Sequence, residues 1–408
     1  MKMLKRPQLP KDLPQTPFYF YDEAILKELS EGFRASVDSS DEIILHYAVK
    51  ANSHPAILKF LHKYGSGLDV VSGAELRLAL ECGYYGDRIV FSGVGKTQEE
   101  MKLAIENEIG MLIVESCEEF EELCEVSKAY PSKTVKVGFR FNPNLSVETH
   151  PYIATGLWEH KFGMAGEEVL RMMELSIPAN VKLQGISLHL GSQIFDDKIF
   201  YDAVNEVVKL AKIIQSKYKK SFPVLNVGGG LGVDYQEPYK KPGFENYGKF
   251  LKWALAEWKQ LNPDLKCQVY SECGRALVAQ SGYLVTKVIR VKSNPKKNFA
   301  IVDASMTELI RPALYSAYHA VEKLEPSGLD EKIYDIVGPV CESGDFLAEK
   351  RSIEELKRGD LLWVLCAGAY GYVMSSHYNL RPLPAEYFLE SNGVLRELHG
   401  PLQTWNIK

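Results

Sequence analysis

Eight short runs of apolar, mostly β-branched and aromatic residues alternate with helical patterns between residues 42 and 276. Runs of this kind are typical of parallel strands buried on both faces. They read IILHYAV, LDVVS, RIVFSG, MLIVES, VKVGFRF, LQGISLHL, PVLNVGG and CQVYSEC. Because right-handed crossovers place each helix on the outside of a growing parallel sheet, eight such units predict a closed (β/α)8 TIM barrel. A doubly wound open sheet is the alternative, and the strand count favours the barrel.

Three helices of the alternating region have recognisable starts. Ser53 precedes the helical pattern HPAILKFLHKYG, and we expect it to begin that helix. Thr97 is followed three residues later by Glu100, and Ser116 by Glu119. This spacing predicts a capping box at both positions.

The pattern changes after about residue 284. Strand-like runs then follow one another across turns, with one helical candidate, PALYSAYHAVEKL: the runs are YLVTKVIRVK, NFAIVDAS, KIYDIVGPVC, DLLWVLCAGAY and EYFLES. The early run PFYFYD precedes the barrel pattern and could pair with these strands. We therefore predict a barrel domain of residues 42–284, and a mainly β domain, a β-barrel or sandwich, formed by residues 1–41 together with 285–408.

Composition excludes several classes of protein. The 408 residues are 46% hydrophobic and 25% charged, with a net charge of -5 and the charges interspersed, which argues against nucleic-acid and membrane partners. No secretory signal or long apolar segment is apparent, so the cytoplasm is the expected location. Seven scattered cysteines without a C-x-x-C pair argue against disulfides and a zinc site, and no metal is expected.

Polar residues follow the predicted barrel strands where the strands end, and in TIM barrels these ends converge on the active-site face. Lys50 is the most informative, because a buried ammonium costs several kcal/mol unless it is paired or neutralised. It is either a strand-end lysine in water or one held for a purpose. The strand-end residues are Lys50, Asp69, Ser72, Ser92, Arg140, Asn142, His189, Ser192, Gly228 to Gly232, Glu272 and Arg275.

Each of these features has an ordinary explanation. The glycines at 228, 229, 230 and 232 could form a tight turn, His189 could be a core histidine, and Glu272 could cap a backbone group. Barrels commonly bind phosphate in the loops after strands seven and eight, however. A lysine, an anion cradle, a flat imidazole and a carboxylate together suit pyridoxal phosphate. Lys50 would form the Schiff base, His189 would stack on the ring, and Glu272 would keep the pyridine nitrogen protonated.

The sequence also resembles the alanine-racemase-like, fold-type III pyridoxal phosphate decarboxylases. The matching stretches run in family order from about residue 16 to 388: YAVKAN, GLDVVSGAEL, HPYIATG with KFG, HLGSQ, NVGGGLG, ECGR, VDASMTELIRPALYSAYH, GPVCESGD and AGAYGYVMSSHYNLRPLPAE. Within this family the closest likeness is to members that convert meso-2,6-diaminopimelate to L-lysine and carbon dioxide, the last step of lysine biosynthesis. That activity and the pyridoxal 5'-phosphate cofactor are what the resemblance implies.

The resemblance assigns roles to matching positions. It makes Lys50, His189 and Cys341 catalytic, with Cys341 protonating Cα after carbon dioxide leaves. It implies that Cys341 and Glu342 reach the site from the partner subunit, and hence an obligate homodimer with shared active sites. Cofactor contacts are implied for Lys50, Asp69, His189, Ser192, Gly228, Gly229, Gly230, Gly232, Glu272, Gly274, Arg275 and Tyr370. Substrate contacts are implied for Arg275, Arg311, Tyr315, Glu342 and Tyr370.

The substrate end has a physical interpretation beside this resemblance. Meso-diaminopimelate is an amino acid at both ends, and the planar fork of arginine suits its second carboxylate, which Arg275 and Arg311 would bind with Tyr315 while Glu342 binds the distal amino group. A site for a plain diamine would instead need carboxylates. The ordinary alternatives are a surface ion pair for Arg311 and a buried structural thiol for Cys341.

Other activities stay open at this stage. Cys273, Ala74 and the stretch DASMTEL depart from the usual family pattern, and relatives that act on D-ornithine, D-lysine, carboxynorspermidine or a siderophore intermediate share most of the motifs. A racemase on the same fold prefers arginine where this chain has Glu272. A non-catalytic regulatory homologue would not need Lys50, His189, Glu272 and Cys341, which are all intact here.

Overall fold

The computed structural model describes residues 3–145 and 159–402. The chain forms two compact units. The barrel unit comprises Ser30–Gly232 and Gly243–Gly274. The sheet unit comprises Met1–Leu29, Val233–Pro242 and Arg275–Lys408. The domain bounds at residues 42 and 284 stay a prediction, because compact units are not by themselves independent folding units.

The predicted barrel is confirmed. After β1 (Phe18–Asp22) and α1 (Glu23–Ser36), eight strands pair in parallel with their neighbours, and the eighth pairs with the first to close the barrel. They are β2 (Ile43–Ala48), β3 (Gly67–Val70), β4 (Ile89–Phe91), β5 (Met111–Val114), β6 (Val135–Arg140), β7 (Val181–Ser187), β8 (Val224–Asn226) and β9 (Gln268–Ser271). Six of them lie within the runs from which they were predicted, whereas β3 begins one residue and β7 two residues before its run.

Side chains from several of these strands form one buried cluster. Val90, Met111, Ile113, Val224 and Tyr270 meet in it. Met111 and Ile113 are two residues apart on β5 and therefore lie on the same face of the strand. Such a packed core closes the barrel, so the polar chemistry is confined to its ends.

Helices separate the barrel strands, and α3 packs against α4, α4 against α5, α5 against α6, and α7 against α8. Their bounds are α2 (Pro55–Lys63), α3 (Gly73–Glu81), α4 (Gln98–Glu106), α5 (Cys117–Ser127), α6 (Gly166–Met172), α7 (Lys198–Tyr218) and α8 (Phe244–Leu261). Among the helices of the described residues, none combines the length and the apolar character that a membrane span requires.

The three predicted helix starts have different outcomes. Thr97 and Glu100 form the predicted capping box at α4. Ser116 caps α5 by accepting from the Glu119 N–H, but the Glu119 carboxylate accepts from the Glu115 N–H, one residue before the cap. The predicted capping box at Ser116 is therefore wrong, because the return bond from the Ser116 N–H to the Glu119 carboxylate is not formed.

The predicted start of α2 at Ser53 is also wrong. His54 is the N-cap, and its Nδ1 accepts from the Ala56 N–H at 3.1 Å. Pro55 then occupies the first helical position, where a missing N–H costs nothing. An imidazole acceptor therefore does what a serine hydroxyl was expected to do.

The sheet unit is mainly β, as predicted. Its nine-stranded sheet has the order β14-β13-β11-β10-β1-β16-β17, with β12 and β15 joined to it through β10. The early run PFYFYD pairs into it, because β1 lies antiparallel to β10 and parallel to β16. The strands are β10 (Gly282–Ser293), β11 (Asn298–Val302), β12 (Val321–Lys323), β13 (Glu331–Val337), β14 (Phe346–Glu354), β15 (Leu361–Val364), β16 (Ala385–Leu389) and β17 (Leu395–His399).

The helix predicted over residues 312–324 is wrong for most of its length. Only α10 (Arg311–Tyr315) is helical, since Ser316 adopts a left-handed conformation with φ of 49° that ends the helix. Residues 321–323 form β12 instead. A further short helix, α9 (Arg275–Val278), follows β9.

Candidate active site

Lys50 lies in a single 3-10 turn, Val49–Ala51, directly after β2. Its Nζ donates to Asp69 Oδ2 at 3.1 Å, and the Asp69 side chain on β3 is fully buried. The other carboxylate oxygen, Asp69 Oδ1, has no hydrogen-bond partner among the described residues. Lys50 is therefore held by a buried carboxylate that keeps further acceptor capacity, and it is not a lysine that simply extends into water.

Glu272 follows β9 and is buried. Asn226, the last residue of β8, donates from Nδ2 to Glu272 Oε1 at 2.5 Å. Burial, and then the charge of Asp69, raises the pKa of Glu272 to about 8. The hydrogen bond from Asn226 acts in the opposite direction, since a donor stabilises the carboxylate, but burial outweighs it and this carboxyl holds a proton near neutral pH.

His189 follows β7, and its Nδ1 accepts from the Gly229 N–H at 3.1 Å. Nδ1 is thus unprotonated, and the ring proton is on Nε2. Burial, and then the charge of Arg140, lowers the pKa of His189 well below its usual value. The site contains a flat and uncharged imidazole.

A cavity of about 540 Å³ lies at this end of the barrel. Charged, polar and aromatic side chains share its wall, which suits a ligand that is itself part aromatic and part charged. Its lining includes Lys50, Ser72, Ser92, Arg140, Phe162, Ser187, His189 and Glu272. The structure thus brings Lys50, His189 and Glu272 together in the wall of one cavity, and Asp69 is hydrogen-bonded to the lysine.

The loop Gly228–Gly232 follows β8 beside this cluster. Gly228 has φ of 66°, in the left-handed region that favours glycine. A Cβ on Gly229 would lie 2.2 Å from the Glu272 carbonyl oxygen. Gly228 and Gly229 donate to Asn226 Oδ1 and His189 Nδ1, whereas the N–H groups of Gly230 and Leu231 make no hydrogen bond within the described part of the chain.

Two further predicted cofactor contacts lie in the barrel unit. Ser192 is half-buried in the loop after β7. Gly274 is required by packing, since a Cβ there would come within 2.9 Å of the Ala51 Cβ. Its contact with a cofactor remains a prediction.

Sequence reasoning did not single out the ion pair at the same end of the barrel. Arg140 Nη1 donates to both carboxylate oxygens of Glu115, at 3.0 and 3.1 Å, and both side chains are buried. Glu115 also accepts from the N–H groups of Gly93 and Gly163. The pair thereby joins three loops, and Arg140 Nη2 lies 3.4 Å from the His189 carbonyl oxygen. The strand-end position of Arg140 was the available signal.

The sheet unit holds a second cluster of predicted residues. Arg275 is buried, and its Nη1 donates to the Tyr235 hydroxyl at 2.8 Å. The guanidinium carbon of Arg275 lies 4.8 Å from the centre of the Tyr370 ring. Tyr235, which the sequence analysis did not identify, thus joins Arg275 and Tyr370 in one arrangement.

Arg311 belongs to the same cluster. It is 4% exposed, at the start of α10, with its guanidinium carbon 4.7 Å from the centre of the Tyr235 ring. The surface ion pair considered for Arg311 is therefore excluded. Tyr315, at the end of α10, is half-buried.

Cys341 and Glu342 lie on an exposed loop after β13. The Cys341 N–H donates to Asn379 Oδ1 at 3.2 Å, and the Tyr378 hydroxyl donates to Glu342 Oε1 at 2.6 Å. The buried structural thiol considered for Cys341 is excluded, because this cysteine is exposed.

Comparison with known proteins extends these observations. Residues 26–279 match the family model described as "Pyridoxal-dependent decarboxylase, pyridoxal binding domain". Diaminopimelate decarboxylase from Aquifex aeolicus is 41% identical over 390 residues, 94% of this chain and 90% of that protein. The one from Bacteroides thetaiotaomicron is 41% identical over 91% of this chain and 95% of its own.

Solved structures agree with the sequence matches. The crystal structure of diaminopimelate decarboxylase from Helicobacter pylori complexed with L-lysine superimposes with a TM-score of 0.86 at 35% identity, over 95% of each chain. The matching stretch HPYIATG, residues 150–156, lies outside the described residues, so its part in the site is not described.

Proposed function

The chain belongs to the pyridoxal-dependent decarboxylases, in the family of the diaminopimelate decarboxylases, and we propose that it converts meso-2,6-diaminopimelate to L-lysine and carbon dioxide. The observation that carries the proposal is the arrangement of Lys50, Asp69 and Glu272 where the barrel strands end. This is a carboxy-lyase reaction that depends on pyridoxal 5'-phosphate. When bound, the cofactor provides a ring that accepts the electron pair left on Cα as the carboxyl carbon departs.

The residues of the barrel unit fit this cofactor. Lys50 Nζ would hold it covalently, and Asp69, with its unused oxygen Oδ1, would keep the ammonium in place until then. The unbonded N–H groups of Gly230 and Leu231 would bind its phosphate, because glycine-rich turns let an anion approach the backbone closely. Ser192 would contribute a hydroxyl to the same phosphate, and Gly274 would complete the contacts of the barrel unit. Tyr370 and Arg275, which belong to the sheet unit, are proposed as further cofactor contacts.

Glu272 and His189 would set the charge around the ring. Glu272 carries a proton near neutral pH, so it can share that proton with a pyridine nitrogen. His189 stays neutral and gives a flat surface on which an aromatic ring can stack. The pair would thus favour a protonated ring without adding a second positive charge beside it.

The arginine cluster would recognise the substrate end that does not react. Arg311 and Arg275 are both buried, and their described polar and aromatic neighbours include uncharged tyrosines. Buried cations are stabilised by an anion, and arginine binds a carboxylate through two parallel hydrogen bonds. Tyr315 would add a hydroxyl. A substrate that retains one carboxylate after decarboxylation meets these requirements.

Cys341 would protonate Cα, and Glu342 would bind the distal amino group. We propose that both act in the site of the partner subunit, so that the enzyme is a homodimer with shared active sites. Their exposure supports this, as do the hydrogen bond that the loop donates to Asn379 and the one that it accepts from Tyr378, because a pre-ordered exposed loop can serve a second chain. All seven cysteines are free thiols, which suits the proposed cytoplasmic location.

A substrate panel tests the proposal. Release of carbon dioxide by the purified holoenzyme is measured with meso-diaminopimelate, D-lysine, D-ornithine and carboxynorspermidine, and the highest kcat/KM is expected for meso-diaminopimelate, with one L-lysine formed per carbon dioxide. A higher kcat/KM for another member of the panel would identify the chain as a decarboxylase of that substrate. Inversion of configuration without carbon dioxide release would indicate a racemase.

A further inference from the structure

His319 is a fully buried histidine that lies against Arg311 in the sheet unit. Its Nε2 is 2.9 Å from Arg311 Nη1, and its Nδ1 is 2.8 Å from the Leu365 carbonyl oxygen. The Tyr235 ring meets the imidazole edge-on, with ring centres 4.9 Å apart. The imidazole is therefore held on three sides.

These contacts fix the tautomer of His319. A carbonyl oxygen can only accept, so Nδ1 carries the ring proton. A guanidinium can only donate, so Nε2 is the acceptor for Arg311. Burial, and then the charge of Arg311, lowers the pKa of His319 well below its usual value, in agreement with a neutral ring.

The neighbours of Arg311 leave its positive charge without a counter-ion. It makes no ion pair with any residue of the ranges 3–145 and 159–402, and its contacts include the His319 acceptor and the ring and hydroxyl of Tyr235. Burial and the nearby positive charge of Arg275 both lower the pKa of Arg311, because both make its charged form less favourable. A buried arginine that is oriented by hydrogen bonding but not neutralised is suited to an incoming anion.

We propose that His319 is a positioning residue, which orients Arg311 through a neutral acceptor and so keeps the charge of Arg311 available for the carboxylate of the unreactive substrate end. The proposal rests on the proposed function, and it extends that function to the choice of substrate. A carboxylate at position 319 would also orient Arg311, but it would neutralise the guanidinium. With a neutral acceptor at position 319, Arg311 can bind a substrate carboxylate. With a charged acceptor there, Arg311 would form an internal ion pair instead.

A pair of variants of similar size, one neutral and one charged, tests this. His319→Gln offers Arg311 a neutral oxygen acceptor, and His319→Glu offers a charged one of the same size. L-lysine and cadaverine differ by one carboxylate, so the ratio of their Kd values, measured by equilibrium titration of the holoenzyme, reports recognition of that carboxylate. Circular dichroism and bound cofactor verify that each variant is folded.

We expect His319→Gln to retain the wild-type preference for L-lysine within about threefold, and His319→Glu to lose at least about tenfold, mainly through weaker binding of L-lysine. Cadaverine binding should change by less than about threefold in both variants, because cadaverine lacks the carboxylate. Equal preferences in the two variants would overturn the proposal. If His319→Glu does not fold, His319→Ala supplies the contrast, since its methyl group offers no acceptor to Arg311. It should lose preference for L-lysine, and a preference equal to that of His319→Gln would overturn the proposal.

The Arg311→Ala background separates a positioning role from a direct one. Without the guanidinium, His319→Glu should no longer alter the ratio of the two Kd values. A change that persists would show that His319 acts on the ligand by another route. If wild-type enzyme decarboxylates meso-diaminopimelate but binds L-lysine no better than cadaverine, the role of Arg311 is wrong. If it does not decarboxylate meso-diaminopimelate at all, the proposed function fails instead.

Discussion

Glu272 is buried and His189 is half-buried at the same end of the barrel, and loss of contact with water changes their pKa values in opposite directions. Burial raises the pKa of Glu272 to about 8 and lowers that of His189. In both cases the uncharged form is favoured, because water no longer solvates the charge. The formal charges of the cluster are then those of Lys50 and Asp69, which pair with each other.

The protonation of Glu272 predicts a pH dependence of stability in the cofactor-free protein. An unfolded glutamate loses its proton near pH 4.3, whereas the folded one keeps it until about pH 8. Between these values folding takes up a proton, so the free energy of unfolding should fall as pH rises, by up to about 1.4 kcal/mol per pH unit. Glu272→Gln should remove this contribution. Urea unfolding of both apoproteins at pH 5.5 and 7.5 measures it, and equal changes with pH in the two proteins would contradict the assigned protonation.

The contacts of Asn226 and His319 could not be predicted from the sequence, whereas the convergence of the main site residues could. Convergence of Lys50, His189 and Glu272 on one cavity could be predicted, because the carboxyl ends of parallel strands meet at one end of a barrel. The contacts of Asn226 with Glu272, and of His319 with Arg311, depend on how side chains from separate segments meet. Sequence spacing does not determine that, although both residues stand within the quoted family stretches.

At the scale of elements, the turn after β8 is constrained by hydrogen bonds and close packing. The β8 end, the turn and the β9 end are joined by the bond from the Glu272 N–H to the Gly228 carbonyl at 2.7 Å. Gly229 is packed against the Glu272 backbone, and its N–H is bonded to His189. The turn therefore positions two predicted site residues as well as its own N–H groups.

Gly229→Ala tests this turn. The added Cβ would lie 2.2 Å from the Glu272 carbonyl oxygen, so the backbone must move, and we expect affinity for pyridoxal phosphate to fall at least about tenfold. Gly243→Ala is the matched control, since its Cβ meets nothing within 4 Å and its φ is -70°. Equilibrium dialysis of the cofactor measures both. A loss in the control as large as that in Gly229→Ala would contradict the role of the turn.

The sheet unit shows why some elements could not be predicted. β14 carries the charged run AEKRS, which lacks the apolar alternation of a half-buried strand, and it lies at the edge of the sheet. The pattern PALYSAYHAVEKL has helical spacing, but its chain turns at Ser316 and pairs with β15. Tertiary pairing outweighed local propensity in both cases. The barrel strands were predictable because burial on both faces leaves an uninterrupted apolar run.

At the scale of the whole molecule, the proposed shared site predicts complementation between two inactive proteins. A dimer of Lys50→Ala chains has no working site, and neither has a dimer of Cys341→Ala chains. A mixed dimer has one site with both residues intact and one with both changed. Random re-association of equal amounts makes about half the dimers mixed, so activity should return to roughly a quarter of wild type.

Each variant re-associated alone is the control, and its residual activity is subtracted. Subunit exchange is verified by mass spectrometry of differently labelled chains. No return of activity after demonstrated exchange would mean that Cys341 serves its own chain, and the assignment of Glu342 to the partner site would fail with it.

Attachment of the cofactor to Lys50 is the central claim, because every other role proposed at the barrel mouth requires the cofactor to be held there. Reduction of the holoenzyme with borohydride, followed by proteolysis and mass spectrometry, locates the attachment. The reduced cofactor is predicted on the peptide that contains Lys50, at one group per chain, and it should be absent from Lys50→Ala treated in the same way. Attachment at another lysine, or the same labelling in Lys50→Ala, would contradict the account.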